Sequence, residues 1–233
     1  MNPQAERILQ CLQEVAAERV RRQGDPDLAA RVHEIKRFQH MRFQRTYADL
    51  LASPRYSRAA QFFLDDLYGP EDFTRRDEQF ARVVPGLVRL FPHEIVGTVM
   101  SLGELHALSE QFDTAMAAVI DGPAIDDGQY AEAWRRVGRP ADRERQITLM
   151  MAVGSALDRY TRNPLLRTSL RLMRGPASAA GLGVLQAFLE RGFDTFRDMR
   201  GAQEFLATVT RRERELAARL FAGGTALDPA RAP

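Results

Sequence analysis

The chain has 233 residues, 45% of them hydrophobic and 27% charged, which is long enough to bury a substantial core and too apolar to remain disordered. One cysteine, Cys11, excludes an internal disulfide and a cysteine-rich zinc site, so packing alone must hold the fold. There is no run of about 18 apolar residues, and the start Met1-Asn2-Pro3-Gln4 lacks the pattern of a signal peptide, so a cytoplasmic protein with no membrane partner is expected.

The net charge of +2 hides a strong segregation. Residues 1–61 carry 11 basic and 7 acidic groups, 62–134 carry 4 and 14, 135–174 carry 10 and 3, and 175–233 carry 8 and 7. Only Lys36 is a lysine; every other basic residue is arginine. An acidic block beside a basic one is expected to pair within the fold or between subunits, ahead of any nucleic-acid role, because basic faces that bind nucleic acid usually lack a compensating block.

Apolar spacing near 3.6 recurs along the chain and no period-2 pattern does, which predicts an all-α fold. A first helix runs from about Gln4 to Gln23, with Ile8, Leu12, Val15 and Val20 inward, and Gly24-Asp25-Pro26 separates it from a long second helix reaching Ala52. Ser53-Pro54 reads as an N-cap and first-turn proline for a third helix ending at Gly69. The fourth follows Pro70, carries Phe73, Phe80, Val84, Leu87 and Phe91, and has Pro85 placed to kink it. His93 to Ile120 forms the fifth, followed by a loop over Asp121 to Gly128 and a short segment from Tyr130 to Val137. After Gly138-Arg139-Pro140 come helices over Asp142 to Thr161, Asn163-Pro164 to Gly175, Pro176 to Gly192 and Ala202 to Phe221. The expectation is one helical domain over 1–222, bundle-like or orthogonal, of eight to ten helices. A subdomain junction is placed near 138–141, and 223–233 form a frayed tail. No repeat of 20 to 50 residues points to a solenoid.

The block Phe62-Phe63-Leu64-Asp65-Asp66-Leu67-Tyr68-Gly69-Pro70-Glu71-Asp72-Phe73, followed by Arg76-Asp77, Pro85, Phe91-Pro92 and Leu105-His106-Ala107-Leu108-Ser109-Glu110, resembles a group of uncharacterised proteobacterial proteins. The resemblance implies an all-helical fold and a bacterial source, and no activity.

Several polar positions stand out. His106, Glu110 and Asp113 lie at i, i+4 and i+7, so one helical face offers an imidazole and two carboxylates as candidate metal ligands. No Glu-x-x-His is present to build a di-iron bundle, and a boundary histidine is the favoured reading. An alternative is haem or a related tetrapyrrole in a haem-oxygenase-like architecture, with His40 or His106 as axial ligand and the small-residue stretch containing Gly181 and Gly183 lying over the ring. Close helix packing is the preferred account of those glycines.

Asp77 interrupts an apolar stripe between Phe73 and Phe80, and Asp65 and Asp66 occupy a last helical turn, where the macrodipole disfavours negative charge. A buried network with Arg75, Arg76 and Arg82 clamping the Gly69-Pro70 turn is the expected answer. Arg167, Arg171 and Arg174 recur on one face behind Arg159 and Arg162, a candidate anion-binding row spanning 159–174, more simply read as a solvated or ion-paired face. No nucleophile motif or phosphate loop occurs. The leading expectation is therefore a non-enzymatic module that binds a protein partner or itself.

Overall fold

The computed structural model describes residues 3–67, 69, 73–120, 122, 124–225 and 227, with the backbone alone at Leu67. Among these the regular elements are all helical: α1 (Pro3–Gln23), α2 (Pro26–Thr46), α3 (Ala48–Ala52), α4 (Ser57–Phe62), a π-helical turn (Phe63–Leu67), α5 (Thr74–Leu90), α6 (His93–Ala117), α7 (Asp127–Val137), α8 (Pro140–Tyr160), α9 (Pro164–Leu172), α10 (Arg174–Ala179), α11 (Gly183–Asp198) and α12 (Gln203–Phe221). Tyr68, Pro70, Glu71 and Asp72 of the quoted block, Asp121 and Pro123 of the predicted loop, and Ala226 and 228–233 of the expected tail lie outside the described residues.

Local chemistry sets most of the boundaries. The Asp25 carboxylate accepts from the Leu28 amide at 3.0 Å and starts α2. Asp126 and Gln129 form a reciprocal capping box at the start of α7. The Asn163 side chain accepts from the Leu165 amide at 3.0 Å, with Pro164 in the first turn of α9. Between α7 and α8 the chain reverses through Gly138 at φ 64° and Arg139 at φ 59°, so the expected junction is a tight left-handed turn.

Three predicted helices are built differently. The long second helix breaks at Tyr47 (φ −117°, ψ 25°), whose buried phenol donates to Glu213 on α12 at 2.6 Å. The third begins at Ser57 and widens into the π-helical turn that carries Asp65 and Asp66. The segment expected to be helical from Pro176 to Gly192 turns at Gly181 (φ 70°) and continues through Gly192 to Asp198. Proline and glycine do not mark boundaries there, since Pro176 lies inside α10 and Gly192 inside α11.

Helix α6 runs through the centre, packed by α1, α2, α7 and α8. Small residues allow the closest approaches: a Cβ on Gly103 would lie 3.5 Å from the Cys11 Cβ of α1. At Gly154 of α8, a Cβ would meet Leu206 of α12 at 2.5 Å. One apolar cluster joins Phe43, Tyr47, Phe63, Phe196 and Phe205, and a second joins Ile35, Phe38, Met116, Trp134 and Leu216. A third holds Ile8, Leu12, Val84 and Val96, whereas Val20, expected to face inward on α1, is 66% exposed one turn before the helix ends. The segregated charges pair internally, chiefly with α1 and α2: Asp77 with Arg19, Glu104 with Arg7, and Glu110 with Arg22 and Lys36. The basic block 135–174 contributes Arg145 to Glu104 and Arg159 to Glu94.

Candidate functional site along the central helix

A cavity of about 210 Å³ follows α6 from Val99 to Asp113, a rise of about 20 Å at 1.5 Å per residue. Volume and length together describe a long, narrow space. One end is apolar, walled by Phe80, Val83 and Leu87 of α5, Val99 and Leu102 of α6, and Leu185, Phe188 and Leu189 of α11. The other end is charged, with Lys36, Gln39 and Arg42 of α2, Glu110 and Asp113 of α6, Tyr130 and Trp134 of α7, Arg143 of α8 and Glu213 of α12.

At the charged end the acids differ sharply. Glu110 accepts from Arg22 and, at 2.6 Å, from Lys36. Burial works against its ionisation, but the two cations outweigh it and hold its carboxyl at about 2. Asp113 accepts from the Gln39 amide at 3.0 Å and lies 3.9 Å from Lys36. Here burial dominates and pushes the carboxyl up to about 6. Arg42 bonds Glu213 at 2.5 Å, and that carboxylate, despite the desolvation of the guanidinium, drives its pKa further up. Arg143 lies between two rings, its guanidinium carbon 3.5 Å from the Phe112 centroid and 3.7 Å from that of Trp134. Ring faces thus carry part of the stabilisation of a buried cation. The Trp134 indole Nε1 and the Arg42 Nε are buried without a hydrogen-bond partner.

Midway along the cavity, Asp77 accepts from Arg19 at 2.6 Å, from His106 Nε2 at 2.8 Å and from Arg76 at 3.4 Å. Burial opposes its charge, but the His106 contact, Arg76 and Arg19 prevail and hold it at about 2. Arg76 also donates to the Asp66 carbonyl at 2.9 Å and covers the rings of Phe73 and Phe188.

The predicted network is therefore present in part and with other partners. Arg76 joins the Asp66 backbone to Asp77, while the Asp66 carboxylate pairs with Arg191 of α11 and Asp65 accepts from Gln61 at the surface. Arg75 is exposed, and Arg82 donates to the Gly181 carbonyl. Residues far apart in sequence supplied the charges that the local reading assigned to Arg75 and Arg82. The metal reading of His106, Glu110 and Asp113 is corrected as well. His106 turns to Asp77 while Glu110 turns to Arg22 and Lys36, and no group of three or more His, Cys, Asp or Glu among the described residues is placed to hold a metal ion.

Of the tetrapyrrole candidates only His106 lines the cavity. His40 contacts Gln44 at 3.3 Å on α2, and Gly181 and Gly183 flank the turn between α10 and α11. The helix expected over the ring is therefore interrupted at that point. In the arginine row, Arg167 approaches Asp194 at 3.4 Å and Arg174 pairs with Glu190, which ties α9 and the start of α10 to α11, while Arg171 is exposed.

Sequence reasoning missed Arg42, Arg143, Lys36, Trp134 and Glu213. A signal existed for the first two. Arg42 continues the Leu28, Val32, Ile35 stripe at i+7 from Ile35, and Arg143 precedes Ile147 and Met150 at i+4 and i+7. The test that singled out Asp77, a charge inside an apolar stripe, applies equally to them.

These features define an all-α domain whose distinctive chemistry lines an interior amphipathic cavity. The chain belongs to the family described as a domain of unknown function, DUF8198, which matches residues 18–227 and so takes in all the charged groups named along the cavity. No curated protein and no solved structure matches it.

Proposed function

We propose that the domain is a small-molecule-binding module that takes a linear amphipathic organic ligand in the cavity beside α6. One observation carries this reading: the same narrow space joins an apolar wall from α5 and α11 to a buried charged end on α2, α7 and α12. Pockets of mixed character with a few convergent polar groups are the usual form of a ligand site. A structural core gains nothing from holding Lys36, Arg42, Asp113 and Arg143 next to open space, since each pays desolvation. The reading is tested by native mass spectrometry of gently purified protein and by calorimetry with linear aliphatic compounds. Binding abolished by the cavity-filling change Leu102→Trp supports it, and binding unaffected by that change refutes it.

A second reading, self-association, rests on α9. Leu165 and Leu172 are each 73% exposed at i and i+7, and Met173 next to them is 52% exposed. Such an apolar stripe suits a second copy of the chain. Light scattering at about 100 μM protein, a concentration at which weak homodimers form, should show a dimer that Leu165→Glu with Leu172→Glu dissociates. A salt-independent monomer removes this reading.

A further inference from the structure

We propose that the ligand of the cavity carries an uncharged hydroxyl head, as a linear aliphatic alcohol does, and that this hydroxyl accepts a hydrogen bond from the Tyr130 phenol and donates one to Asp113 Oδ2. The inference rests on the cavity being a ligand site and assigns the ligand's chemical class.

The first argument concerns which polar atoms at the charged end reach open space. Asp113 and Tyr130 are 7% and 1% exposed, and both line the cavity. Asp113 accepts from the Gln39 amide at Oδ1, while its Oδ2 lies 3.9 Å from the Lys36 ammonium, too far for a hydrogen bond. The Tyr130 hydroxyl has no hydrogen-bond partner among the described residues. Unpartnered atoms sealed in the packing, such as Trp134 Nε1 and Arg42 Nε, are out of a ligand's reach, and neither Asp113 Oδ2 nor Tyr130 Oη is of that kind. The little surface these two keep opens on the cavity that both line. They share one neighbourhood, since Asp113 is among the charges that raise the Tyr130 pKa.

The second argument is complementarity. Burial raises the Tyr130 pKa, so the phenol keeps its proton and donates, while the open carboxylate oxygen of Asp113 accepts. A group that meets both must accept and donate at once, and a hydroxyl does so through a single oxygen. A carboxylate has no proton to give Asp113. An ammonium cannot accept from Tyr130, and it would add a cation where Arg22, Lys36, Arg42 and Arg143 already outnumber Glu110, Asp113 and Glu213. An uncharged head leaves that balance as it stands. The third argument is shape: a narrow space along α6 suits an unbranched chain with its tail toward Leu102, Leu87 and Leu189.

Probes of nearly equal length separate the heads: octanol, heptyl methyl ether, octanoate and octylammonium. Each is titrated into the full chain by calorimetry at pH 8, where Asp113, raised to about 6, is ionised. Octanol should bind about tenfold more tightly than the ether, which accepts from Tyr130 but has no proton for Asp113; that factor is the usual loss for a hydrogen bond to a charged group. Octanoate and octylammonium should be weaker than octanol by a similar factor. Tyr130→Phe keeps the ring that stacks on Phe38 and removes only the hydroxyl. With helical circular dichroism unchanged, it should weaken octanol about fivefold and leave octylammonium unaffected. Equal affinities for octanol and the ether would mean that bound water already satisfies both atoms, and would overturn the hydroxyl assignment while leaving the cavity reading in place. Tighter binding of octanoate or octylammonium, or an unchanged octanol affinity in Tyr130→Phe, has the same consequence. Failure of every probe to bind, or binding that survives Leu102→Trp unchanged, overturns the cavity reading itself.

Discussion

Replacing Asp113 by Asn removes a buried carboxyl whose ionisation is opposed by its burial. The Asp113 carboxyl has an ordinary value of 3.8 and is raised by burial to about 6 in the fold. Because the folded value is raised, its contribution to stability is fully present below about pH 3.8 and is lost as pH rises through about 6. A shift of this size corresponds to roughly 3 kcal/mol over the whole range, of which about 1.4 kcal/mol falls between pH 5 and pH 8. Glu110 and Asp77 behave oppositely: held at about 2, they lose their contribution only as pH falls below their ordinary values of 4.5 and 3.8. The interval from pH 5 to 8 is therefore free of them. Asn keeps an oxygen to accept from Gln39 and cannot ionise, so the variant should gain on the wild type by about 1.4 kcal/mol from pH 5 to 8. Urea unfolding at several pH values, followed by helical circular dichroism and by Trp134 emission, measures this difference directly. Parallel curves for the two proteins would show that Asp113 is solvated or paired well enough to ionise normally, and the account of the cavity's charged end would fail.

Asp77→Ala leaves Arg19, Arg76 and His106 around an empty acceptor position and should cost about 3 to 5 kcal/mol, the usual result of breaking a buried ion pair; an unchanged melting temperature would contradict the clamp. Gly154→Ala should destabilise by about 1 to 3 kcal/mol, because the new methyl group meets Leu206 in a filled core, and a neutral result in chemical denaturation would mean that α8 and α12 are less closely apposed. Titration with haem should leave the Soret band where free haem has it, since His106 Nε2 is engaged by Asp77 and His40 lies outside the cavity; a shifted band lost in His106→Ala would reopen the tetrapyrrole reading.

The pattern of apolar residues determined the helical class and most boundaries, because helix periodicity and caps such as Asp25, Asp126 and Asn163 are encoded within a few residues. Asp77 was identifiable as an anomaly for the same local reason: its neighbours at i−4 and i+3 are phenylalanines. What its sequence neighbourhood could not supply was the partner. Arg19 is 58 positions away and Arg22 lies 88 from Glu110, so which cation meets which acid depends on how α1 and α2 cross α6. The same limit applied to Tyr47, where a bond to Glu213, 166 residues on, accompanies a break in an otherwise continuous helical pattern. Sequence by itself thus determined an all-α chain with charges in its apolar stripes, since both are properties of short windows. Only the tertiary structure decided that those charges gather at one end of a narrow cavity, because burial, and with it the raised carboxyl of Asp113, is created by packing between distant helices.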